Sequence, residues 1–322
     1  LPDRPTITDV YDARKRISGH ITRTPLRNYP SLDELVGAEV WIKHENFQTL
    51  GAFKVRGGLN LLSKIDPELI DNGVVGASSG NHGQSIAYAA RTHKIPCVIV
   101  VPVGANPDKV RSMQNLGAEV VFEGSYYDQS RDAAKNIAEE RGFYYIDAAN
   151  EPDLIAGVAT YSLEIFEDLS DIDTIFAPIG AGSGAAGACI VAAAVSPSTR
   201  VIGVQAEAAP AAQLSWKAGK PVAAEMKTSA EGLATAYGYE LPQTILRDLL
   251  EDFILVSEDA IEDAVSDYLD HTHSLVEGAG AAALAGAKDQ REKIKGQRVV
   301  VIASGANLSR AHLSKIVGTR GA

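Results

Sequence analysis

Cysteine is scarce in this chain. There are two in 322 residues, Cys97 and Cys189, and both lie in apolar stretches. That habit points to buried inert thiols and away from a disulfide framework or a thiol nucleophile. No Cys/His spacing suggests zinc. Positive charge is also short: 30 Lys and Arg stand against 41 Asp and Glu, for a net charge of -11 with no basic run. This disfavours nucleic acid and anionic membrane as partners. Apolar runs end well short of a bilayer span, and Leu1-Pro2-Asp3-Arg4-Pro5 lacks the apolar core of a secretion signal, so the cytoplasm is the expected compartment. Low-complexity tracts, solenoid-period repeats and an obvious linker are absent too. What remains is a chain with 45% hydrophobic residues, enough for one large domain or two smaller ones.

Short β-rich runs alternate with helical patterns. Strands are expected at Glu39–His44, Val74–Ala77, Cys97–Pro102, Glu119–Phe122, Tyr144–Asp147, Thr174–Pro178, Arg200–Gln205, Phe253–Val256 and Arg298–Ala303. Helical periodicity falls between them, as at Asn81–His93, Pro107–Gly117, Gln129–Arg141 and Asp153–Leu169. The alternation predicts an α/β fold of two three-layer domains with parallel sheets. Continuous apolar strands such as Val98-Ile99-Val100-Val101 fit sheets covered on both faces. The smaller domain, residues 73–148, is expected to be inserted in a larger one made of residues 1–64 and 149–322.

Four segments carry chemistry. Lys54 lies in Gly51-Ala52-Phe53-Lys54-Val55-Arg56-Gly57, where an adjacent aromatic suggests partial burial. Burial makes an amine a better nucleophile and base. Ser78-Ser79-Gly80-Asn81-His82-Gly83 ends a buried strand and opens a helix, a place where free amides hold a carboxylate; an ordinary helix cap would need fewer polar groups. Gly180-Ala181-Gly182-Ser183-Gly184 also joins a strand to a helix and suits a phosphate. From Gly182 to Gly187 it matches the dinucleotide fingerprint, with Glu207 placed as the ribose acid about 20 residues on. That alternative leaves Lys54 and Ser78–His82 without a role. Finally, Ser304 follows the strand at Arg298–Ala303, at the sheet end that faces ligands. An amine, a carboxylate loop and a phosphate cradle are the parts that hold pyridoxal 5'-phosphate as a Schiff base.

With these motifs, and with Lys43-x-Glu45-Asn46-x-Gln48 ahead of the lysine, the sequence resembles the serine/threonine dehydratase and serine racemase group of fold type II, tryptophan-synthase-β-like pyridoxal-phosphate enzymes. The resemblance runs from Thr24-Pro25-Leu26 to Ser304-Gly305-Ala306-Asn307. It implies that Lys54 bonds the cofactor and later acts as general base, and that Phe53 packs on the ring. Asn81 would bond the ring 3'-oxygen, and Ser78, Ser79 and the amides of Asn81 and His82 would bind the substrate carboxylate. Gly180 to Gly184 would cradle the phosphate, Ser304 would meet the pyridine nitrogen, and Gly232 and Glu277 would lie near the ring. A serine at that nitrogen leaves the ring neutral, which favours β-elimination over a long-lived carbanion. The implied activity is release of ammonia and a 2-oxoacid from a β-hydroxy amino acid such as threonine or serine, in a homodimer.

Departures from the pattern are informative. The tetraglycine loop reads Gly180-Ala181-Gly182-Ser183, and Leu50 and Ala52 replace the usual Thr and Ser. Gly157-Val158-Ala159-Thr160 stands where Gly-Gln-Gly-Thr is usual. Racemase-like members bind a divalent cation at positions that read Gln205, Ala209 and Ala211 here, so no metal is expected, with Glu207 the one carboxylate near. Biosynthetic threonine dehydratases carry a C-terminal regulatory domain, and Ala322 falls about where the catalytic region stops. The segment Ala230–Tyr237 is expected beside the substrate's β-substituent, and no Arg or Lys occurs from Ala230 to Glu240. An apolar β-substituent is therefore expected to be preferred over a second carboxylate, with Arg56 the first cation to examine otherwise. Four alternatives stay open: a racemase using Ser79 as the opposite-face acid, a β-replacing synthase, the dinucleotide oxidoreductase, and a non-catalytic binding relative.

Overall fold

The structure, a computed structural model, describes residues 3–320. Ten strands form two sheets: β1 (Leu26–Asn28), β2 (Glu39–Lys43), β3 (Val74–Ala77), β4 (Cys97–Val101), β5 (Glu119–Phe122), β6 (Tyr144–Ile146), β7 (Thr174–Pro178), β8 (Arg200–Ala206), β9 (Asp252–Val256) and β10 (Arg298–Ile302). The larger sheet runs β1-β2-β10-β7-β8-β9 and the smaller β5-β4-β3-β6. The four strands of the smaller sheet all lie between β2 and β7 in the chain, so the chain leaves the larger sheet, builds the smaller and returns. Nine strands pair in parallel, as the alternating pattern requires. The exception is β1, a three-residue edge strand that runs antiparallel to β2, with Leu26 opposite Lys43. No strand was expected there.

Side-chain alternation gives the larger sheet two apolar faces. On β10, Val299 and Val301 enter one core with the helix Gly278–Asp289, while Val300 and Ile302 enter another with the helices Pro152–Asp168 and Ser183–Val195. Small residues let these helices come close. A Cβ on Gly286 would lie 2.6 Å from a Val204 methyl, and one on Gly187 would lie 2.9 Å from Ala159. The thiols of Cys97 and Cys189 are buried and unpaired, and burial raises that of Cys97 to about 12.

This topology brings the loops together. The glycine loop follows β7 and Ser304 follows its neighbour β10, so both lie at the carboxyl ends of adjacent strands. The serine loop follows β3, an interior strand of the smaller sheet. Ligands of open α/β sheets bind at such ends.

Candidate active site

A cavity of about 390 Å³ opens between the two sheets' carboxyl ends. It is lined by Phe53, Lys54, Ser78, Ser79, Asn81, His82, Gly180, Ala181, Gly182, Ser183, Gly184, Gly232, Glu277 and Ser304, so every site residue expected from sequence lies on one surface.

The lysine loop is held from behind by the loop after β10. Phe53 N–H donates to Ser304 O (3.1 Å), Ala306 N–H to Gly51 O (2.8 Å), and Asn307 Nδ2 to Leu50 O (2.8 Å). Those bonds support a left-handed pair, Leu50 (φ 73°) and Gly51 (φ 65°); such a φ costs a leucine on the order of 1–2 kcal/mol. Lys54 then opens the helix Lys54–Lys64. Its amine donates to Ser183 Oγ at 3.0 Å and lies 5.4 Å from the Phe53 ring centre. Burial brings its pKa down to about 8. Phe53 meets Tyr161 edge-on at 5.9 Å. A Cβ on Gly184 would be 3.2 Å from a Phe53 ring carbon and from the Tyr161 hydroxyl, and one on Gly180 would be 2.1 Å from Gly232 O. Gly180 is therefore demanded by close backbone approach, and Gly182 by its left-handed φ of 96°.

The serine loop opens a 13-residue helix, Asn81–His93, whose N-terminal position Gly80 provides no side-chain cap. Its first-turn amides are thus left without a side-chain cap, and Asn81 and His82 line the cavity. Ser78 and Ser79 lie half-buried beside them. His82 is buried and neither ring nitrogen has a protein partner; burial, then the nearby Lys54, lowers its pKa to about 3. Asn81 is fixed at both ends: Nδ2 donates to Glu277 Oε1 (2.6 Å) and Oδ1 accepts from Asn307 Nδ2 (2.7 Å). Burial raises the Glu277 carboxyl above its ordinary range. Ser304 is 6% exposed and its hydroxyl has no hydrogen bond among the described residues.

The family model described as "Pyridoxal-phosphate dependent enzyme" matches residues 17–305. The chain belongs to that family. It is 34% identical over 313 residues to the L-threonine ammonia-lyase of Thermotoga maritima, covering 97% of this chain and 78% of that one. It is 32% identical over 314 residues to the L-threo-3-hydroxyaspartate ammonia-lyase of Saccharomyces cerevisiae, covering 97% and 96%. Among solved structures, maize serine racemase superposes with a TM-score of 0.92 at 32% identity over 98% of both chains. The fold is thus the tryptophan-synthase-β-like one, and the chain is an enzyme of the dehydratase and racemase group.

The residues present fit pyridoxal 5'-phosphate. The amine has a depressed pKa, the glycine loop lines the cavity at the start of a helix, and an unpartnered hydroxyl lies at the end of β10. In this pyridoxal-phosphate enzyme the dinucleotide alternative falls away. Gly187 serves the packing of two helices, and Glu207 is exposed.

Some neighbours of the site were not evident from sequence. Lys109 lines the cavity and pairs with Glu231 across it. Arg131 bonds the Tyr237 hydroxyl and pairs with Asp128 and Asp132. The Tyr127 and Tyr239 hydroxyls meet each other. The Lys109–Glu231, Arg131–Tyr237 and Tyr127–Tyr239 contacts each join a helix of the smaller sheet's unit to the segment Glu231–Tyr239. Arg56, the first cation to examine for the substrate pocket, is not at the cavity at all. It is fully buried in an ion network with Glu45 and Glu164, and Lys43 joins the same Glu164. Gln205 Oε1 accepts from Gln213 N–H (3.1 Å), and Ala209 and Ala211 are fully buried. No helix among the described residues is long and apolar enough to cross a membrane.

Proposed function

We propose that the chain is a pyridoxal-phosphate-dependent ammonia-lyase. It converts a β-hydroxy amino acid with a small or apolar β-substituent, threonine first, to a 2-oxoacid and ammonia. The observation that carries this is Lys54, an amine whose pKa burial lowers, in the same cavity as the serine loop and the glycine loop. The bound cofactor supplies an electron sink at the substrate's Cα. The free amine of Lys54 takes the Cα proton, for which a pKa near 8 is well matched. Ser78, Ser79 and the amides opening the helix Asn81–His93 hold the substrate carboxylate, fixing the Cα–H bond toward Lys54. Asn81 is held by Glu277 and Asn307, and the second hydrogen of its amide would meet the cofactor's ring oxygen. Ser304, which lines the cavity, would offer a neutral hydroxyl to the ring nitrogen, which would favour loss of the β-hydroxyl. Two α/β domains, 1–64 with 149–322 and 73–148, bring these groups together in a cytoplasmic homodimer, with no metal required.

The β-substituent's side of the pocket supports the apolar preference. Leu233, Ala234, Ala236, Tyr237 and Tyr239 line it. The nearby cations are already spoken for: Lys109 by Glu231, Arg131 by Asp128, Asp132 and Tyr237. A second substrate carboxylate would have to displace one of those partners. Racemisation needs an acid on the opposite face, and Ser79 is the candidate, so the racemase is the second reading. One experiment separates them: 2-oxoacid release and chiral composition are followed for serine, threonine, 3-phenylserine and 3-hydroxyaspartate. Oxoacid release greatest with threonine or 3-phenylserine, and roughly tenfold above serine for threonine, supports the lyase. D-serine formed faster than pyruvate, or 3-hydroxyaspartate clearly preferred, overturns the proposal.

A further inference from the structure

The amine of Lys54 makes one hydrogen bond among the described residues, to Ser183 Oγ at 3.0 Å. Ser183 is 1% exposed and is the first residue of the 13-residue helix Ser183–Val195. Gly182, in the left-handed region at φ 96°, turns the chain so that this side chain faces the cavity. The serine is not needed as a cap, since it lies inside the helix and Gly182 occupies the cap position. It stands where the resemblance leads one to expect a fourth glycine. A hydroxyl that accepts from an amine has one hydrogen left to donate, and no protein acceptor takes it among the described residues.

We propose that Ser183 is a positioning residue for Lys54: its hydroxyl receives the amine's hydrogen bond, holds Nζ at the mouth of the glycine loop, and donates its own hydrogen to an anion in that loop. The inference rests on Lys54 and the glycine loop being the cofactor's amine and phosphate sites. It adds that the two sites are joined by one side chain. The chemical consequence has a definite sign. A hydroxyl acceptor favours the charged amine and so opposes burial, which by itself drives the amine toward its neutral form. Without the hydroxyl, burial acts unopposed and the amine's pKa falls further. The hydroxyl's donated hydrogen also strengthens binding of a phosphate but not of the unphosphorylated aldehyde.

The test uses the full chain, freed of cofactor, as wild type, Ser183→Ala and Ser183→Gly. The rate of Lys54 acetylation by acetic anhydride is followed against pH by peptide mass spectrometry. Both variants should move the midpoint down by about half to one pH unit, with melting temperature unchanged. An unmoved midpoint in both variants would overturn the proposal. A parallel titration compares pyridoxal phosphate with pyridoxal. The variants should bind the phosphate about tenfold more weakly, and pyridoxal within twofold of wild type. Weaker phosphate binding with an unmoved midpoint would make Ser183 a phosphate ligand only and would also overturn it. The midpoint needs no cofactor. If Lys54→Ala bound pyridoxal phosphate with an unchanged visible band, the cofactor assignment would fail while the lysine–serine coupling would still be judged by its own measurement.

Discussion

Lys54 and Arg56 are two residues apart in the first turn of one helix, and both are cations withdrawn from water, yet their surroundings are opposite. Arg56 is 0% exposed and makes five hydrogen bonds, four to Glu45 and Glu164 and one to Thr160, with Lys43 closing the cluster. Burial alone would lower its pKa, but the two carboxylates more than reverse this and hold its proton firmly. Lys54 has one hydroxyl and an aromatic ring, and its pKa falls to about 8. A buried charge with every donor satisfied is fixed in place and chemically quiet. One left short of partners can lose its proton at neutral pH and react. The helix thus has a structural side toward the helix Pro152–Asp168 and a chemical side toward the cavity.

The sharpest way to break this contrast is to remove each cation in turn. Lys54→Ala should lose the visible band of bound cofactor and at least about 10³-fold in turnover, with the melting temperature kept. Arg56→Met should do the reverse where the protein still folds. It leaves two buried carboxylates short of their partner and should cost about 3–5 kcal/mol in chemical denaturation, with the lysine's cofactor band still present. If Arg56→Met kept full stability, the network would be a bystander.

A smaller effect comes from acid. Burial raises the Glu164 carboxyl, but Arg56 and Lys43 outweigh burial and leave it below its ordinary value of 4.5. A carboxyl depressed in the folded state binds protons more weakly there than when unfolded. Its contribution is therefore present above about pH 4.5 and is lost as pH falls through the lowered value. Wild type should lose stability more steeply than Glu164→Gln between pH 5 and 3, measured by denaturant midpoints. Parallel slopes would remove Glu164 from the account.

The fold was legible wherever apolar strands were long. Eight of the expected strands end within one residue of β2 to β7, β9 and β10, and Arg200–Gln205 is one residue short of β8. β1 was not legible because Leu26-Arg27-Asn28 is too short to show a period, and its backbone is ordered by pairing with β2. The site's loops were legible because glycine, hydroxyl and amide clusters interrupt apolar strands. The ion network was only half legible. Lys43, Glu45 and Arg56 are visible as a motif, but their orientation away from the cavity depends on Glu164, more than a hundred residues on. A charge inside the otherwise uncharged run Leu154–Ile165 was its one signal. Lys109 with Glu231 and Arg131 with Tyr237 join distant segments, and nothing local in the sequence pairs them.

The central claim is that Lys54, alone among the withdrawn cations, is chemically available. Borohydride reduction of the cofactor-loaded enzyme, followed by peptide mapping, tests it directly. The reduced cofactor mass should be found on the peptide carrying Lys54 and not on those carrying Lys43 or Lys109. Labelling of either of those lysines, or loading without any lysine being labelled, would contradict it.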